Sequence, residues 1–531
     1  MTEPNQIRRW PIWLISAGLA GLASWLFLRG QPAGLPVDDA YIHLVYAQNL
    51  AKGLGWCFNP GEPSLGTSSP LWVFLIRCLL PWLTPETAVR VLSLAGLIVS
   101  TVIISEIVRV SLPSLGEDRN SRFIRDYLIL CSAALFVFSG NLLWIAFCGM
   151  ETMVFLAFGL LAVHGMATGR PGALTGISLA LLVLTRIEGW VLYLVLLGWW
   201  LFSERRKGFW FLAPVAAWLA WTVYTDLHFG LLLPSTMSGK LASNLFNSGL
   251  SLRGAGLFLW RHLVYLGRWN RGLLAMLVIA FSGYGLSRYR PSYYKIAGQK
   301  IIQNPAILQV MVWAVLNLLL HALWFRSTES ITPYHYMRYQ VSIFAALPLT
   351  VIWALVPAMK PLRKDDFYPE LERGWRRFAV GVILWGIIGI SMQFSVRTWR
   401  NLYQENLEHL TQSHRAAALW AKANLPEDAR IACFDIGSLK YFSGRYVIDL
   451  GGLTDPAIWP YLREKRVGPY LVKARADYYF ALDRPPEEVI TGVRKDDGAL
   501  YHLKELARFD APDYPTPVRL HSLAVIVYKI E

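Results

Sequence analysis

Residues 38–72 read DDAYIHLVYAQNLAKGLGWCFNPGEPSLGTSSPLW. They follow an apolar run, Trp10–Leu28, long enough to span a bilayer. Two adjacent carboxylates, Asp38 and Asp39, thus stand just outside a first membrane helix. The spacing of Tyr41, Leu44, Val45 and Leu50, with Gly53 as a stop, predicts an amphipathic helix over Asp38–Lys52 on the membrane surface. Ser69–Leu83 is apolar but short and is broken by Pro81, which predicts a re-entrant or interfacial helix.

Outward from this stretch the chain is dominated by membrane-length apolar segments. Of its 531 residues 54% are hydrophobic and only 16% charged, against about 25% charged in an average soluble domain. Windows of about 20 residues give eleven spans, roughly 10–29, 86–110, 127–147, 152–168, 172–186, 189–203, 209–227, 272–287, 304–325, 339–358 and 378–396. The net charge of +15 comes in short groups between these runs. A nucleic-acid surface would gather them in one patch, so no nucleic-acid partner is expected. With Arg8 and Arg9 in the cytoplasm, the groups around Arg119–Arg125, Arg170, Arg205–Lys207, Arg288–Lys300 and Lys360–Arg377 all fall on the same side. The first run reads as a retained signal anchor. The odd span count places the C-terminal region outside the cytoplasm.

These readings predict a polytopic α-helical membrane module over residues 1–396, with a first outer loop over 30–85, and an extracytoplasmic α/β domain over 397–531. Within the latter, Arg430–Phe434, Tyr446–Leu450, Asp477–Leu482 and Leu523–Ile530 have strand character, and Leu410–Asn424 has helical spacing closed by Leu425-Pro426. The five cysteines form no CxxC pair, so neither a zinc nor a dithiol motif is present. Cys57 and Cys433 would face the same side and could pair; free buried thiols are the plainer expectation.

Under this topology Asp38, Asp39, Glu62, Glu151, Arg186, Glu188, Lys240 and Arg338 all lie at outer span ends or in outer loops. Snorkelling or internal ion pairing accounts for any one of them, but snorkelling would not favour one leaflet. Charge at membrane depth is costly and marks function. Arg186, Lys240 and Arg338 suit a phosphate, and a carboxylate suits the role of proton acceptor. Asp38-Asp39 alone could be a helix cap, a repelling pair in which one proton is held more tightly, or metal ligands. His335 stands beside Arg338 and is a further candidate; His43 and His228 read as packed or solvated. P-loop, GxGxxG, HExxH and GxSxG motifs are absent from the sequence.

The quoted stretch resembles the first outer loop of GT-C superfamily membrane glycosyltransferases, most closely the terminal β-(1→2) arabinofuranosyltransferase type. The matching positions are Asp38, Asp39, Tyr46, Asn49, Asn59–Pro63, Gly66, Thr67, Leu71 and Trp72. Weaker matches continue downstream. They are Gly149–Thr152, Leu184–Gly189 (with Ile187 where the family has Pro), Leu233–Thr236 followed by Lys240 (with Ser235 for Asn), Arg338-Tyr339, Asp435–Gly437 and Ile448–Leu453.

The resemblance implies a polyprenyl-phosphate sugar donor used on the outer face of the cytoplasmic membrane. The acceptor would be a hydroxyl of a cell-envelope glycan, lipid or protein, and a single displacement would invert the anomeric centre. Asp38 or Asp39 would be the base. Arg186, Lys240 and Arg338 would hold the donor phosphate. Glu62, Glu151, Glu188 and His335 would position acceptor or base. No cofactor is required; a divalent metal is compatible with the superfamily, though no ligand cluster demands one. Two rivals predict other patterns. A lipid-linked oligosaccharide ligase would carry its key residues in one large later loop. A transporter or flippase would place charge near mid-bilayer, often within inverted repeats.

Overall fold

The computed structural model describes residues 9–112, 119–168, 172–203, 208–232, 252–269, 305–324, 334–359, 379, 381–383, 385–464, 467–482, 502–514, 516 and 524–531, to which all that follows refers. Helices occupy the expected apolar runs: Arg9–Leu28, Pro85–Ser111, Thr152–Ala167, Ala173–Thr185, Gly189–Ser203, Leu212–Phe229, Ala306–Trp324 and Ser342–Met359. The expected 272–287 span lies outside the described residues. Four of the described helices are long and apolar enough to cross a membrane, or five if one bent pair is a single span. The other apolar helices are shorter, so the count of eleven is not reached by length alone.

The bent pair corrects one expected element. The run 127–147 is two helices, Arg125–Val137 and Gly140–Phe147, meeting at 60°. The cause is local. The Gly140 N–H is held by the Ser395 hydroxyl at 2.9 Å, and a Cβ at Gly140 would collide with the Ser395 carbonyl. The close approach of the later helix therefore needs both the break and the glycine.

Small residues elsewhere do the same for straight helices. Ser93, Gly96 and Ser100 are buried in Pro85–Ser111, and a Cβ on Gly96 would come within 2.7 Å of the Met153 backbone. Such contacts let helix backbones touch where lipid supplies no hydrophobic drive. At the other end of this helix Glu106 is held by Arg109 and by the Trp13 indole N–H at 2.8 Å.

Helix Leu252–Trp269 has no counterpart among the expected spans; it packs on Ala306–Trp324. Arg253, Arg261 and Arg268 hide it from a hydropathy window.

The C-terminal region carries a five-stranded sheet. It comprises β1 (Arg430–Cys433), β2 (Tyr446–Asp449), β3 (Tyr478–Leu482), β4 (Leu503–Phe509) and β5 (Val525–Ile530), in the order β2-β1-β3-β5-β4. β1 pairs in parallel with β2 and β3; β5 pairs antiparallel with β3 and β4. Four strands fall on the expected runs. The fifth, β4, is a charged and largely exposed edge strand, the kind whose side chains carry no burial pattern.

The helix expected over 410–424 is longer. Residues 385–424 run on without a break, through wide turns at Ser391–Val396 and Thr411–Arg415, and so cross position 397. One apolar core continues from the membrane helices through Trp399, Tyr403 and Leu407 to Ile431 and Val527.

Helix Asp38–Ala51 lies inside this junction, which corrects the amphipathic surface helix. Ala40 through Ala47 are all buried. The polar positions that made the sequence look amphipathic have partners inside the protein. Asn49, for example, donates its amide to the Cys57 carbonyl at 2.8 Å. The following helix, Pro70–Leu79, stops before Pro81; Trp72, Val73 and Ile76 are buried while Phe74 and Trp82 are exposed.

Candidate functional site

The adjacent carboxylates point to different neighbours. Neither caps its own helix: the cap position is Val37, with no side-chain bond. Asp38 instead caps another helix, Ile436–Ser443, which follows β1. Its two oxygens accept the N–H groups of Gly437 at 2.8 Å and Ser438 at 2.7 Å, and the Ser438 hydroxyl as well. A carboxylate at a helix N-terminus satisfies orphan N–H groups and meets the positive end of the helix dipole. Gly437 is required here, because a Cβ would overlap the Asp38 carbonyl.

Burial, and next the Asp435 carboxylate, push the Asp38 carboxyl up to about 6. The charged neighbour behind this rise is Asp435 rather than the adjacent Asp39. His414 bonds Asp435 through Nε2 at 3.0 Å and Ser413 through Nδ1 at 2.8 Å. Burial alone would lower the His414 imidazole; the bond to Asp435 and the charges of Asp435 and Asp38 raise it overall.

The rest of the quoted loop continues this seam. Asn59 makes a two-way amide pair with the Val447 backbone of β2, donating at 2.9 Å and accepting at 3.1 Å. Glu62 accepts the Tyr446 hydroxyl. Gly66 sits where a Cβ would lie 2.6 Å from the Thr454 methyl. That threonine belongs to the turn Gly451–Thr454, whose N–H groups Asp449 gathers.

Asp39 faces the other way. Its carboxylate takes the Nη2 of Arg338 at 2.8 Å. Arg338 sits in the turn Tyr334–Gln340, directly after Tyr336 and Met337, whose φ of 51° and 67° are left-handed in residues that rarely adopt them. Such strain persists only where surrounding structure enforces it, and it clusters at functional sites. The guanidinium is buried. Nη2 also donates to the Tyr339 hydroxyl at 3.0 Å, while Nε and Nη1 have no hydrogen-bond partner among the described residues.

Beside this pair lies a buried chain of ions. Arg186 donates to Glu151 at 2.9 Å and to Glu188 at 3.0 Å. Its guanidinium lies 4.6 Å from the centre of the Tyr339 ring, which the Arg338 guanidinium also covers, at 5.0 Å. His43 stands 3.9 Å from Glu151, with its Nδ1 bonded to the Thr67 hydroxyl at 2.9 Å. His321 stands 3.6 Å from Glu188; its Nδ1–H donates to the Asn317 carbonyl at 2.7 Å.

Helix ends supply the chain. Glu151 opens Thr152–Ala167, Arg186 to Glu188 form the break between Ala173–Thr185 and Gly189–Ser203, and His321 is in the last turn of Ala306–Trp324.

Of the residues singled out in the sequence, the structure therefore joins Asp39, Glu151, Arg186, Glu188 and Arg338 through pairs and a shared ring. Asp38 and Glu62 are turned to the C-terminal sheet. Lys240 and the His335 side chain lie outside the described residues. His43 and His321 are added. His43 is one helical turn after Asp39, so the i, i+4 spacing carried the signal. His321 had none beyond its place at a helix end. Among the described residues no three His, Cys, Asp or Glu side chains form a metal-binding group, and all five cysteines are free, Cys57 and Cys433 included.

Across nearly its whole length the chain is similar in fold to ArnT. The crystal structure of ArnT from Cupriavidus metallidurans bound to undecaprenyl phosphate superposes with a TM-score of 0.58 at 11% identity, over 97% of both chains. The apo state of the same protein gives 0.52 at 13% identity over the same shares. Residues 399–520 match a family described as a domain of unknown function (DUF8728). No curated protein matches. The chain is thus an ArnT-like fold, mostly helical, with several apolar helices and a small C-terminal sheet.

Proposed function

We propose that this protein is an inverting membrane glycosyltransferase. It would move a sugar from a polyprenyl-phosphate donor to a hydroxyl of a cell-envelope acceptor at the outer face of the cytoplasmic membrane. The N-terminus would then be cytoplasmic and the sheet domain extracytoplasmic. The observation that carries this is the Asp39–Arg338 pair: a buried cation with two donor nitrogens unpartnered among the described residues, in bonding contact with a carboxylate whose side chain is 41% exposed. A phosphate binder and a proton acceptor are thereby adjacent, at the ends of apolar helices that would flank a lipid tail. The fold similarity to ArnT, solved with undecaprenyl phosphate bound, supports the donor class.

In this reading Asp39 takes the proton of the acceptor hydroxyl as its oxygen bonds to the anomeric carbon. The bond from that carbon to the phosphate oxygen breaks, and its electron pair leaves on the lipid phosphate. Arg338 stabilises that phosphate, with Lys240 a second candidate. Arg186, held by two carboxylates, is kept from direct phosphate contact and instead fixes Tyr339 beneath Arg338. Of the adjacent carboxylates, Asp38 is the anchor. The arabinofuranosyl type remains one candidate among pentosyl and hexosyl donors.

The test is to supply the purified protein in detergent or vesicles with a panel of polyprenyl-phosphate pentoses and hexoses. One donor should be consumed with release of polyprenyl phosphate. If none is consumed in native membranes, which hold the natural acceptor, the proposal fails.

A further inference from the structure

We infer that the Asp39–Arg338 ion pair is a latch that the donor's own phosphate opens, so that the base is released only when the lipid phosphate has arrived. This rests on the donor class proposed above and concerns how the same site is regulated.

The unliganded geometry has Asp39 occupying one N–H of a buried guanidinium whose Nε and Nη1 are bonded to nothing described. A carboxylate in contact with a guanidinium is held in its charged form and is a weak base. A phosphodiester is a second anion for the same cation. It can take two donors of the guanidinium side by side, which one carboxylate oxygen on Nη2 does not. Once it binds, Asp39 loses part of its counter-charge and gains an anionic neighbour. Both changes strengthen it as a base.

Two features make opening feasible. The Asp39 side chain is 41% exposed, so it can turn towards water, whereas Arg338 is buried and stays. The neighbouring cation offers no substitute partner, because Arg186 is already held between Glu151 and Glu188. A latch of this kind keeps the base idle until a donor is seated, which protects against proton uptake without transfer.

The inference is tested with undecaprenyl phosphate, which carries no sugar and cannot turn over. Its Kd is measured for the full-length wild type and for Asp39→Asn, Asp39→Ala and Arg338→Gln, with undecaprenol as the phosphate-free control. If Asp39 competes with the phosphate, Asp39→Asn and Asp39→Ala bind the lipid phosphate at least fivefold more tightly than wild type. Arg338→Gln binds it at least tenfold more weakly, and undecaprenol binding is unchanged throughout.

Equal or weaker binding by Asp39→Asn and Asp39→Ala overturns the latch while leaving the donor class standing, since Asp39 would then merely support Arg338. Wild-type binding no tighter for undecaprenyl phosphate than for undecaprenol overturns the donor reading itself. Infrared difference spectra of the wild type provide a readout that needs no variant. Adding the lipid should shift a carboxylate stretch as the pair opens, and an unshifted spectrum overturns the latch.

Discussion

Asp38 and Asp39 are neighbours in the chain, yet the structure divides them between two regions built on different principles. The seam around Asp38 is saturated: both oxygens accept backbone N–H groups, and a Cβ at position 437 would overlap the Asp38 carbonyl. The region around Asp39 is unsaturated among the described residues: a buried guanidinium keeps two donor nitrogens unpartnered, and the carboxylate is partly exposed. Saturated polar contacts position; a buried cation with unpartnered donors calls for an explanation, which the proposed lipid phosphate supplies. The same loop motif therefore supplies both the fastening of the C-terminal sheet and one wall of the proposed site.

The sharpest way to break this comparison is to neutralise each carboxylate in turn. Asp39→Asn should cut turnover by about 10²–10⁴-fold, the range for losing a general base, with only a partial loss of stability, because the amide oxygen still accepts from Arg338. Asp38→Asn should cost mainly stability, because an amide cannot accept at both oxygens from the N–H groups of Gly437 and Ser438. Sugar transfer and thermal unfolding measured on both variants decide it. If Asp38→Asn is the one that loses turnover at full stability, the assignment is reversed.

Next in size is the ion chain beside Arg338. Glu151→Ala leaves Arg186 buried with Glu188 alone. Removing one member of a buried pair costs about 3–5 kcal/mol, so chemical or thermal unfolding in detergent should show a loss of that order. Glu151→Gln keeps a hydrogen bond to Arg186 and should lose less. A neutral Glu151→Ala would mean that the chain is solvated rather than structural.

The fold class was legible because membrane helices advertise themselves through length and apolarity, and the strands β1, β2, β3 and β5 because they are apolar runs between turns. Elements that broke the rules were hidden. Leu252–Trp269 carries three arginines, β4 is charged, and the break at 138–139 is imposed by Ser395, more than 250 residues away.

The sequence groups Asp39, Glu151, Arg186, Glu188 and Arg338 as one set of charges, and the structure joins them, but their division of labour was not legible. Nothing local distinguishes Asp38 from Asp39; the distinction comes from Gly437 and Arg338, about 400 and 300 residues further on. Glu62, expected to position acceptor or base, accepts the Tyr446 hydroxyl. His43, which reads in sequence as packed or solvated, is buried and sits 3.9 Å from Glu151.

At the seam, Gly437→Ala forces a methyl against the Asp38 carbonyl, and Ser438→Ala removes a hydroxyl bonded to a half-buried carboxylate. Overpacking costs about 1–3 kcal/mol, and a hydrogen bond to a charged group about 1.5–3 kcal/mol. Both variants should lose that much stability. If the seam does no more than hold Asp39 in place, the KM for donor should stay within about twofold while kcat falls with the displaced loop. A rise in donor KM with unchanged kcat would instead assign the seam to donor binding.

The smallest expected effect is a pH dependence of the same seam. Asp38, raised to about 6 by burial and Asp435, and His414, raised overall by Asp435, both bind protons more tightly folded than unfolded. Each therefore stabilises the fold at low pH and loses that contribution as pH rises, Asp38 between about 4 and 6, and His414 from about 6.5 upward through its raised value. His409 opposes Asp38 in the lower window, because burial and then His414 lower it to about 4. Burial lowers Lys440 to about 8, which bounds the upper window. Between pH 6.5 and 8 the seam should thus weaken with rising pH through His414, by at most about 1.4 kcal/mol per pH unit for one proton. Urea unfolding across that range should show the slope in wild type and in Asp39→Asn, and lose it in His414→Gln. A slope that survives in His414→Gln would place the titrating group elsewhere than the seam.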